Sequence, residues 1–216
     1  SLNHPRIVRV LDLEESEGRL YMTMEYFPLG DLGKWAQQPA PLSFRQVVGL
    51  IAQVAEALDH AHAQGVIHGD VKPGNILISQ GEGGQPQAKL SDFGILRAVQ
   101  QSGVTSGDMT LGTPFYISPE QAEGSRPLPA SDQYALGVVA YQLLTGRLPF
   151  EGETPLAIYL KHLREPAPAP SQANPLITPE LEAVLLRALA KNPAERYPSC
   201  SEFDRALRQA VASTEA

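Results

Sequence analysis

Three polar side chains suited to phosphate chemistry stand close together in one stretch of the chain. The segment HGDVKPGNILIS, residues 68–79, contains Asp70, Lys72 and Asn75 in a loop broken by a proline and two glycines, and Asp92 follows in the segment LSDFG. Carboxylate and amide oxygens suit Mg²⁺ that is bound together with substrate phosphates. A carboxylate and a cation can orient an attacking hydroxyl and neutralise a moving phosphoryl group. These residues therefore predict phosphoryl transfer as the reaction class.

Each of these residues also has a purely structural explanation when it is taken alone. Aspartate and asparagine are frequent in turns, and an Asp-Phe-Gly tripeptide can arise by chance. Their joint occurrence favours the functional interpretation for Asp70, Asn75 and Asp92. His68 follows the apolar pair Val66 and Ile67, so we expect it to be a buried, hydrogen-bonded structural residue.

The hydrophobic pattern predicts the elements that position these side chains. Apolar runs at residues 7–13 and 20–26 predict an antiparallel pair of strands. Apolar residues at steps of three and four, behind a Ser43/Gln46 capping box, predict a long helix that ends near Gly65. Short strands at 76–78 and 88–91, joined by glycine-rich sequence, predict a hairpin. The phosphate-handling segment then lies between the helix and this hairpin.

The second half of the chain is predicted to be helical. Residues 94–113 are polar and without periodicity, which is typical of a mobile functional loop. Helices are predicted at 131–144, 154–163, 178–190 and 199–211, and the proline-rich segment 165–175 is interpreted as a packed connector. The fold class is therefore α+β, with a small sheet followed by a mostly helical body.

The composition restricts the function classes and the compartment. A chain of 216 residues with 43% hydrophobic content can form one sizeable domain, and its net charge of −7 argues against binding to nucleic acid or an anionic membrane. A single cysteine, Cys200, allows no internal disulfide and supplies no zinc site by itself, which favours the cytoplasm. No apolar run is long enough to span a membrane, although an anchor outside the chain stays open.

Five ordered motifs resemble those of the eukaryotic-type protein serine/threonine kinase family. HGDVKPGN is similar to the catalytic loop, DFG to the metal-binding motif and GTPFYISPE to the end of the activation segment. SDQYALGVVAYQLLTGRLPF resembles the central helix of the large lobe, and its sequence is more similar to bacterial members than to animal ones. NPAERYPS resembles the arginine-bearing turn near the end of that lobe. The resemblance implies a protein kinase-like fold, with residues 1–27 as a remnant of the β-rich N-terminal lobe, 28–213 as the helical C-terminal lobe and 214–216 as a tail.

The resemblance also implies roles for individual residues, with ATP and Mg²⁺ as cofactors and a serine- or threonine-containing protein as substrate. Asp70 would be the catalytic base, Lys72 would contact the transferred phosphate, and Asn75 and Asp92 would bind Mg²⁺. The adenine pocket would use the side chain of Met24, the backbone of Glu25 and Phe27, and the side chains of Asp31 and Leu77. For Met24 and Leu77, plain core packing is an equally good explanation. Structural or activation-segment roles fall to His68, Phe93, Gly94, Thr110, Thr113, Glu120, Asp132 and Arg196, with Glu120 and Arg196 expected to form a buried ion pair.

The chain departs from the family pattern in two ways. Gly69 replaces the usual arginine that holds a phosphate on the activation loop, so phosphorylation of that loop, at Ser102, Thr105, Ser106 or Thr110, is expected to matter little. The glycine-rich loop, the strand lysine and its glutamate partner also have no counterpart in these residues. We therefore expect the chain to be a fragment that is nearly inactive by itself and binds ATP poorly.

Two alternatives stay open at this point. A small-molecule phosphotransferase of the aminoglycoside or choline kinase type often has His-Gly-Asp in its catalytic loop, as here, but Lys72 and the GTPFYISPE segment count against it. A pseudokinase, or a lobe that serves as a scaffold, would fit the missing elements. The retained set of Asp70, Lys72, Asn75 and Asp92 counts against that second alternative.

Overall fold

The computed structural model describes residues 2–16, 19–37, 42–93 and 114–214. Two antiparallel hairpins, eight α-helices and four short 3-10 helices account for the regular structure of these residues. In chain order the elements are β1 (Val10–Ser16), β2 (Arg19–Met24), α1 (Leu32–Trp35), α2 (Phe44–Ala63), β3 (Ile76–Gln80), β4 (Pro86–Leu90), α3 (Pro119–Ala122), α4 (Pro129–Thr145), α5 (Pro155–Arg164), α6 (Pro170–Ala173), α7 (Pro179–Ala188) and α8 (Cys200–Thr214). The expected α+β class, with a mostly helical body, is confirmed.

Helix α2 organises the core. Its N-terminus carries the predicted capping box, in which the Ser43 hydroxyl accepts from Gln46 N and the Gln46 side chain accepts from Ser43 N. Two orphan N–H groups are thereby satisfied. The apolar stripe of α2, which includes Leu50, Ile51 and Leu58, is buried against α4, α8 and β4. The apolar residues whose spacing predicted this helix are thus the ones that pack in the core.

Helix α4 is buried on nearly all sides, from Ser131 to Tyr141. It begins at a proline in its first turn and ends at Gly146, whose φ of 73° suits glycine. A helix that is apolar all round belongs in the centre of a domain. Among the described residues, no helix is both long enough and apolar enough to cross a lipid bilayer.

The two hairpins have different environments. In β1 every residue is exposed, including Leu11 and Leu13, and β1 pairs only with β2 among the described strands. In the β3–β4 hairpin, by contrast, Ile76, Ile78, Ala88 and Leu90 are buried. Backbone hydrogen bonds fix this second hairpin in place, since Val8 N donates to Leu90 O and Ile78 N donates to Gly30 O. The second hairpin is therefore the one that forms the floor of a cleft.

Element boundaries differ from the prediction by a few residues. Strand β1 begins at Val10 rather than at residue 7, because Ile7 forms an isolated bridge to Leu90 of β4. The proline-rich segment 165–175 contains the one-turn helix α6, and two more four-residue helices, α1 and α3, had no counterpart in the prediction. Helices this short span a single turn, so they leave no periodicity to detect.

Candidate active site

The loop that carries Asp70 is held by a buried carboxylate on α4. Asp132, which is 1% exposed, accepts hydrogen bonds from His68 N (2.9 Å) and Gly69 N (2.7 Å). Its Oδ2 also lies 2.7 Å from His62 Nε2 of α2. Three donors from two segments thus converge on one side chain, which fixes the start of the loop against the helical core.

Gly69 adopts a backbone conformation that favours glycine. Its φ is +77°, and a Cβ at this position would meet Pro127 Cγ at 3.3 Å. Gly69 O accepts a hydrogen bond from Gln121 Nε2 of α3 (2.9 Å). The family that the sequence resembles usually has arginine at this position. In this chain the position is a tight turn, and its carbonyl connects the loop to α3.

Asp70, Lys72 and Asn75 form a single hydrogen-bonded group. Lys72 Nζ lies 2.6 Å from Asp70 Oδ2. Asn75 Nδ2 donates to Asp70 O (2.8 Å) and to Asp70 Oδ2 (3.2 Å), which directs the amide nitrogen toward the loop and leaves the amide oxygen as the outward acceptor. The three side chains therefore present a carboxylate, an ammonium group and an amide oxygen on one side of the loop.

His68 and Ser91 connect this group to Asp92. His68 Nδ1 accepts from Asp70 N (3.2 Å), so its Nε2 carries the proton and donates to Ser91 O (2.8 Å). Ser91 Oγ lies 3.0 Å from Asn75 O and 3.1 Å from Asp92 Oδ2. The structure thus links Asp92 to the Asp70 loop through Ser91 and the backbone of Asn75, and it places His68 in a buried connecting position.

Asp92 has a strained backbone conformation. Its φ of +64° is left-handed, which no other non-glycine residue in the described segments shows. The next residue, Phe93, packs edge-on against His68 with ring centroids 4.7 Å apart. Left-handed backbone at a non-glycine residue costs about 1–3 kcal/mol and clusters at functional sites. Asp92 and Phe93 both line the same cavity.

The end of β2 lines a cavity next to Asp92 and leads into a segment held by Glu25. Met24 is half-buried and faces a cavity of about 890 Å³ that Asp92 and Phe93 also line. The Glu25 side chain bonds to Lys89 Nζ (2.7 Å) and Arg9 N (2.9 Å). Burial alone would raise the pKa of Glu25, but these hydrogen bonds outweigh it and lower the pKa.

The backbone of this segment keeps hydrogen-bonding capacity free. Within the described part of the chain, Glu25 O and Phe27 N have no backbone partner, whereas Phe27 O accepts from Gly30 N. Asp31 and the half-buried Leu77 are joined by a backbone bridge. The Asp31 side chain caps α1 by accepting from Lys34 N (3.0 Å), a local role that was not expected from the sequence.

Glu120 and Arg196 form a bidentate ion pair with N···O distances of 2.9 and 2.8 Å. Arg196 is 2% exposed, and its remaining N–H groups donate to Ala190 O, Ala130 O and Lys191 O. Burial would raise the pKa of Glu120, but the hydrogen bonds from Arg196 and Ser131 lower it. The pair therefore links α3 to the turn before α8 with every guanidinium donor satisfied.

Several predicted residues lie outside the described residues, namely Gly94, Thr110 and Thr113 together with Ser102, Thr105 and Ser106. Conversely, sequence reasoning missed the anchoring roles of His62 and Gln121. His62 lies on the apolar side of α2 three residues after Asp59, and that spacing is the only indication of its contacts in the sequence. Gln121 follows the capping serine of α3 by three residues, so its second contact to Gly69 was not predictable.

Comparisons with known proteins give one consistent family. Residues 1–208 match the protein kinase domain family. The chain is 37% identical to the serine/threonine-protein kinase PrkC of Bacillus subtilis over 97% of its length, and 43% identical to PknB of Mycolicibacterium smegmatis over 94%. It covers 32% and 33% of those two relatives. The chain thus spans about a third of the length of these curated relatives.

A solved structure gives the same result. The crystal structure of the Mycobacterium tuberculosis PknI kinase domain superposes with a TM-score of 0.74 at 32% sequence identity. The match covers 96% of this chain and 73% of that domain. From the family match, the relatives and this structural likeness together, the chain belongs to the protein kinase domain family, and its relatives are bacterial serine/threonine-protein kinases.

Proposed function

We propose that this chain is the catalytic part of a cytoplasmic protein serine/threonine kinase that transfers the γ-phosphate of ATP to a protein hydroxyl. One observation carries the proposal. The side chains of Asp70, Lys72 and Asn75 are joined by hydrogen bonds, and Ser91 Oγ lies within hydrogen-bond distance of both the backbone carbonyl of Asn75 and the Asp92 carboxylate. Such a group supplies the base, the cation and the oxygen ligands that phosphoryl transfer requires.

Each residue then has a distinct task. The Asp70 carboxylate orients the substrate hydroxyl and accepts its proton. Lys72, 2.6 Å from Asp70 Oδ2, neutralises charge on the moving phosphoryl group and holds the carboxylate in place. The hydrogen bond from Asn75 to the same carboxylate restricts it further. The barrier is lowered by positioning and by charge, because little covalent chemistry falls to the protein in this reaction.

The residues present fit a magnesium ion. Asn75 offers its amide oxygen because its nitrogen already bonds twice to Asp70, and Asp92 keeps an oxygen beyond the one near Ser91 Oγ. Oxygen ligands in small number, with positions left for water and phosphate, are typical of Mg²⁺ at nucleotide sites. When bound there, the ion would neutralise phosphate charge, and Asn75 and Asp92 would hold it.

An adjacent apolar cavity supports a protein as the substrate. This cavity of about 580 Å³ lies between α1 and the segment after residue 113, and Lys72, Leu32, Phe115 and Tyr116 line it. The Tyr116 hydroxyl donates to Gln142 Oε1 of α4 (2.7 Å), which anchors that wall. A peptide segment next to Lys72 would place its hydroxyl near Asp70.

A small-molecule phosphotransferase is the second candidate, because residues 68–70 have the His-Gly-Asp sequence that is often found in the catalytic loop of that class. A phosphate-transfer assay on the complete gene product separates the two. We expect labelled phosphate to appear on serine or threonine of a model protein and not on aminoglycosides or choline. Labelling of the small molecules alone would overturn the proposal.

The same assay tests the assigned residues. Asp70→Asn is expected to lower the rate at least about 10²–10³-fold, the usual loss for one preorganised catalytic group. Asp204→Asn on α8 makes the same chemical change at a carboxylate that pairs with Arg208, away from the cleft, and should leave the rate unchanged. Equal rates for the Asp70 variant and the wild-type protein would contradict the assignment.

A further inference from the structure

We propose that Asp59, His62 and Cys200 form a binding site for a zinc ion at the junction of α2 and α8. One oxygen, one nitrogen and one sulfur ligand atom of these residues lie within 4.8 Å of one another. Asp59 and His62 occupy one face of α2, three residues apart, and Cys200 is the first residue of α8. This site is separate from Asn75 and Asp92.

The tautomer of the neutral His62 ring places a nitrogen lone pair near Asp59. His62 Nε2 lies 2.7 Å from Asp132 Oδ2, and because a carboxylate only accepts, Nε2 must be the donor. In the neutral ring Nδ1 then carries a lone pair, and it lies 3.9 Å from Asp59 Oδ1. That separation is too long for a hydrogen bond. A cation between the two acceptors would convert their repulsion into attraction.

The contact to Asp132 is also the arrangement in which proteins present histidine to zinc. Metal-binding histidines usually donate their second ring nitrogen to a carboxylate, which fixes the tautomer and makes the ligand more basic. Asp132 is buried and held by two backbone donors, so it cannot turn away from His62. The orientation of the imidazole is therefore set before any ion arrives.

Asp59 can bind a cation without losing its present contacts. Its two oxygens accept from Cys200 N (3.0 Å) and Ser201 N (2.9 Å). The Cys200 thiol also bonds to this carboxylate. An ionised carboxylate has about four lone-pair positions, so acceptor capacity remains, and deprotonation of the thiol would free a further position. These backbone contacts also hold the Cys200 end of α8 against α2.

Distance and space both fit zinc. Tetrahedral zinc with bonds of about 2.0–2.3 Å places its ligand atoms roughly 3.4–3.6 Å apart, so side-chain shifts of about 1 Å close the site. A cavity of about 310 Å³ is lined by Asp59 and His62 and gives room for a water molecule as the fourth ligand. A mixed set of thiolate, imidazole and carboxylate is typical of zinc and unsuited to Mg²⁺.

The cysteine binds as the thiolate. Its sulfur donates an electron pair to the ion, and the thiol proton leaves to solvent. Cys200 is 1% exposed, so the bound thiolate would be protected from other reactions. Since His62 shares Asp132 with His68 and Gly69, zinc at this site would also brace the start of the catalytic loop.

Metal titration of the full chain, freed of metal with a chelator, tests the proposal. We expect one zinc ion per chain in competition with a chromogenic chelator, and cobalt in its place should show a thiolate-to-cobalt charge-transfer band. Cys200→Ala should abolish that band and lower zinc affinity by more than about 100-fold, since even outer-shell changes cost about 10–100-fold.

Matched variants distinguish this site from surface binding. Asp59→Asn keeps an acceptor oxygen for α8 but loses the charge, and it should weaken zinc binding at least about tenfold. His60→Gln removes a neighbouring imidazole that stacks on His4 and should leave affinity unchanged. Absence of a charge-transfer band in the wild-type chain would overturn the proposal even if Cys200→Ala did not fold. Zinc binding that persists in the Asp59 and Cys200 variants would overturn it equally.

Discussion

At the scale of single residues, the buried carboxylate of Asp132 supports more of the site than any side chain that faces the cleft. It holds the backbone at His68 and Gly69, and through them the position of Asp70. A catalytic carboxylate must be held close to its productive position to be effective. In this molecule the loop that carries Asp70 is held by a side chain 64 residues after His68 in the sequence.

Asp132→Ala is therefore expected to destabilise the fold. The change leaves two buried backbone donors and the His62 ring without their acceptor, and each unsatisfied group costs about 1–3 kcal/mol. We expect the free energy of unfolding to fall by roughly 3 kcal/mol or more. Chemical denaturation measures it. Glu202→Ala on the exposed side of α8 is the control, and a similar small change for both variants would contradict this role.

His162 on α5 makes stability depend on pH. It is fully buried, with Nδ1 2.9 Å from the Tyr134 hydroxyl and no hydrogen-bond partner for Nε2 in the described part of the chain. Burial, together with the charge of Lys191, lowers the pKa of His162 to about 3. In the unfolded chain the group titrates near 6.5, so the unfolded state binds the proton first.

Stability that rests on the neutral form of His162 is thus complete above pH 6.5 and is lost progressively as the pH falls toward 3. At pH 5 the expected loss is about 2 kcal/mol relative to pH 7, from 1.36 kcal/mol per pH unit. Denaturation curves at several pH values measure this slope. His162→Gln should flatten it over this range, and an unchanged slope in that variant would show that another group is responsible.

At the scale of elements, the long periodic helices and the β3–β4 hairpin were predictable, and the one-turn helices were not. The apolar stripe and Ser43/Gln46 box of α2 are local patterns, and they lie in the structure where the sequence placed them. The one-turn helices α1 and α3 depend on a capping residue and on tertiary contacts, so periodicity does not reveal them.

The candidate site shows the same division. Asp70, Lys72, Asn75 and Asp92 could be selected from residue type and spacing, and the motifs that contain them are local. The family resemblance named Asp132 as a structural residue but not its contacts, and Gln121 was missed; the two side chains bond to Gly69 from 63 and 52 residues away in the sequence. Contacts between residues so far apart depend on how the whole chain packs, and they leave no local motif in a single sequence.

The Glu120–Arg196 pair is the main polar link between α3 and the last part of the chain. Removal of one partner strands a buried charge, and we expect Glu120→Ala to cost about 3–5 kcal/mol. Because the pKa of Glu120 is lowered in the folded state, this contribution is complete above its unfolded pKa of about 4.5 and is lost as the pH falls through the lower folded value.

A double-mutant cycle with Glu120→Ala and Arg196→Met checks the link by chemical denaturation. The double variant should lose less stability than the two single variants summed, with a coupling of about 1–3 kcal/mol. Additive losses would show that the two side chains act independently.

At the scale of the whole molecule, we expect the glycine at position 69 to reduce the effect of phosphorylation. A phosphate on the segment between Asp92 and Pro114 has no cation at this position to hold it. We expect replacement of Ser102, Thr105, Ser106 and Thr110 by alanine, in the complete gene product, to change activity by less than about threefold. Phosphate-transfer assays measure the effect. Loss of activity in the fourfold variant would contradict this expectation, and wild-type protein treated with a phosphatase is the control.

We propose that Asn75 and Asp92, next to the hydrogen-bonded Asp70 and Lys72, hold a cation and the triphosphate of ATP. Binding of Mn²⁺·ATP to the complete gene product, followed by electron paramagnetic resonance, tests it most directly, because Mn²⁺ takes the same oxygen ligands as Mg²⁺. We predict that Asp92→Asn weakens this binding by at least about tenfold, while Asp204→Asn does not change it. Equal Mn²⁺·ATP binding by wild-type protein and the Asp92 variant would contradict the claim.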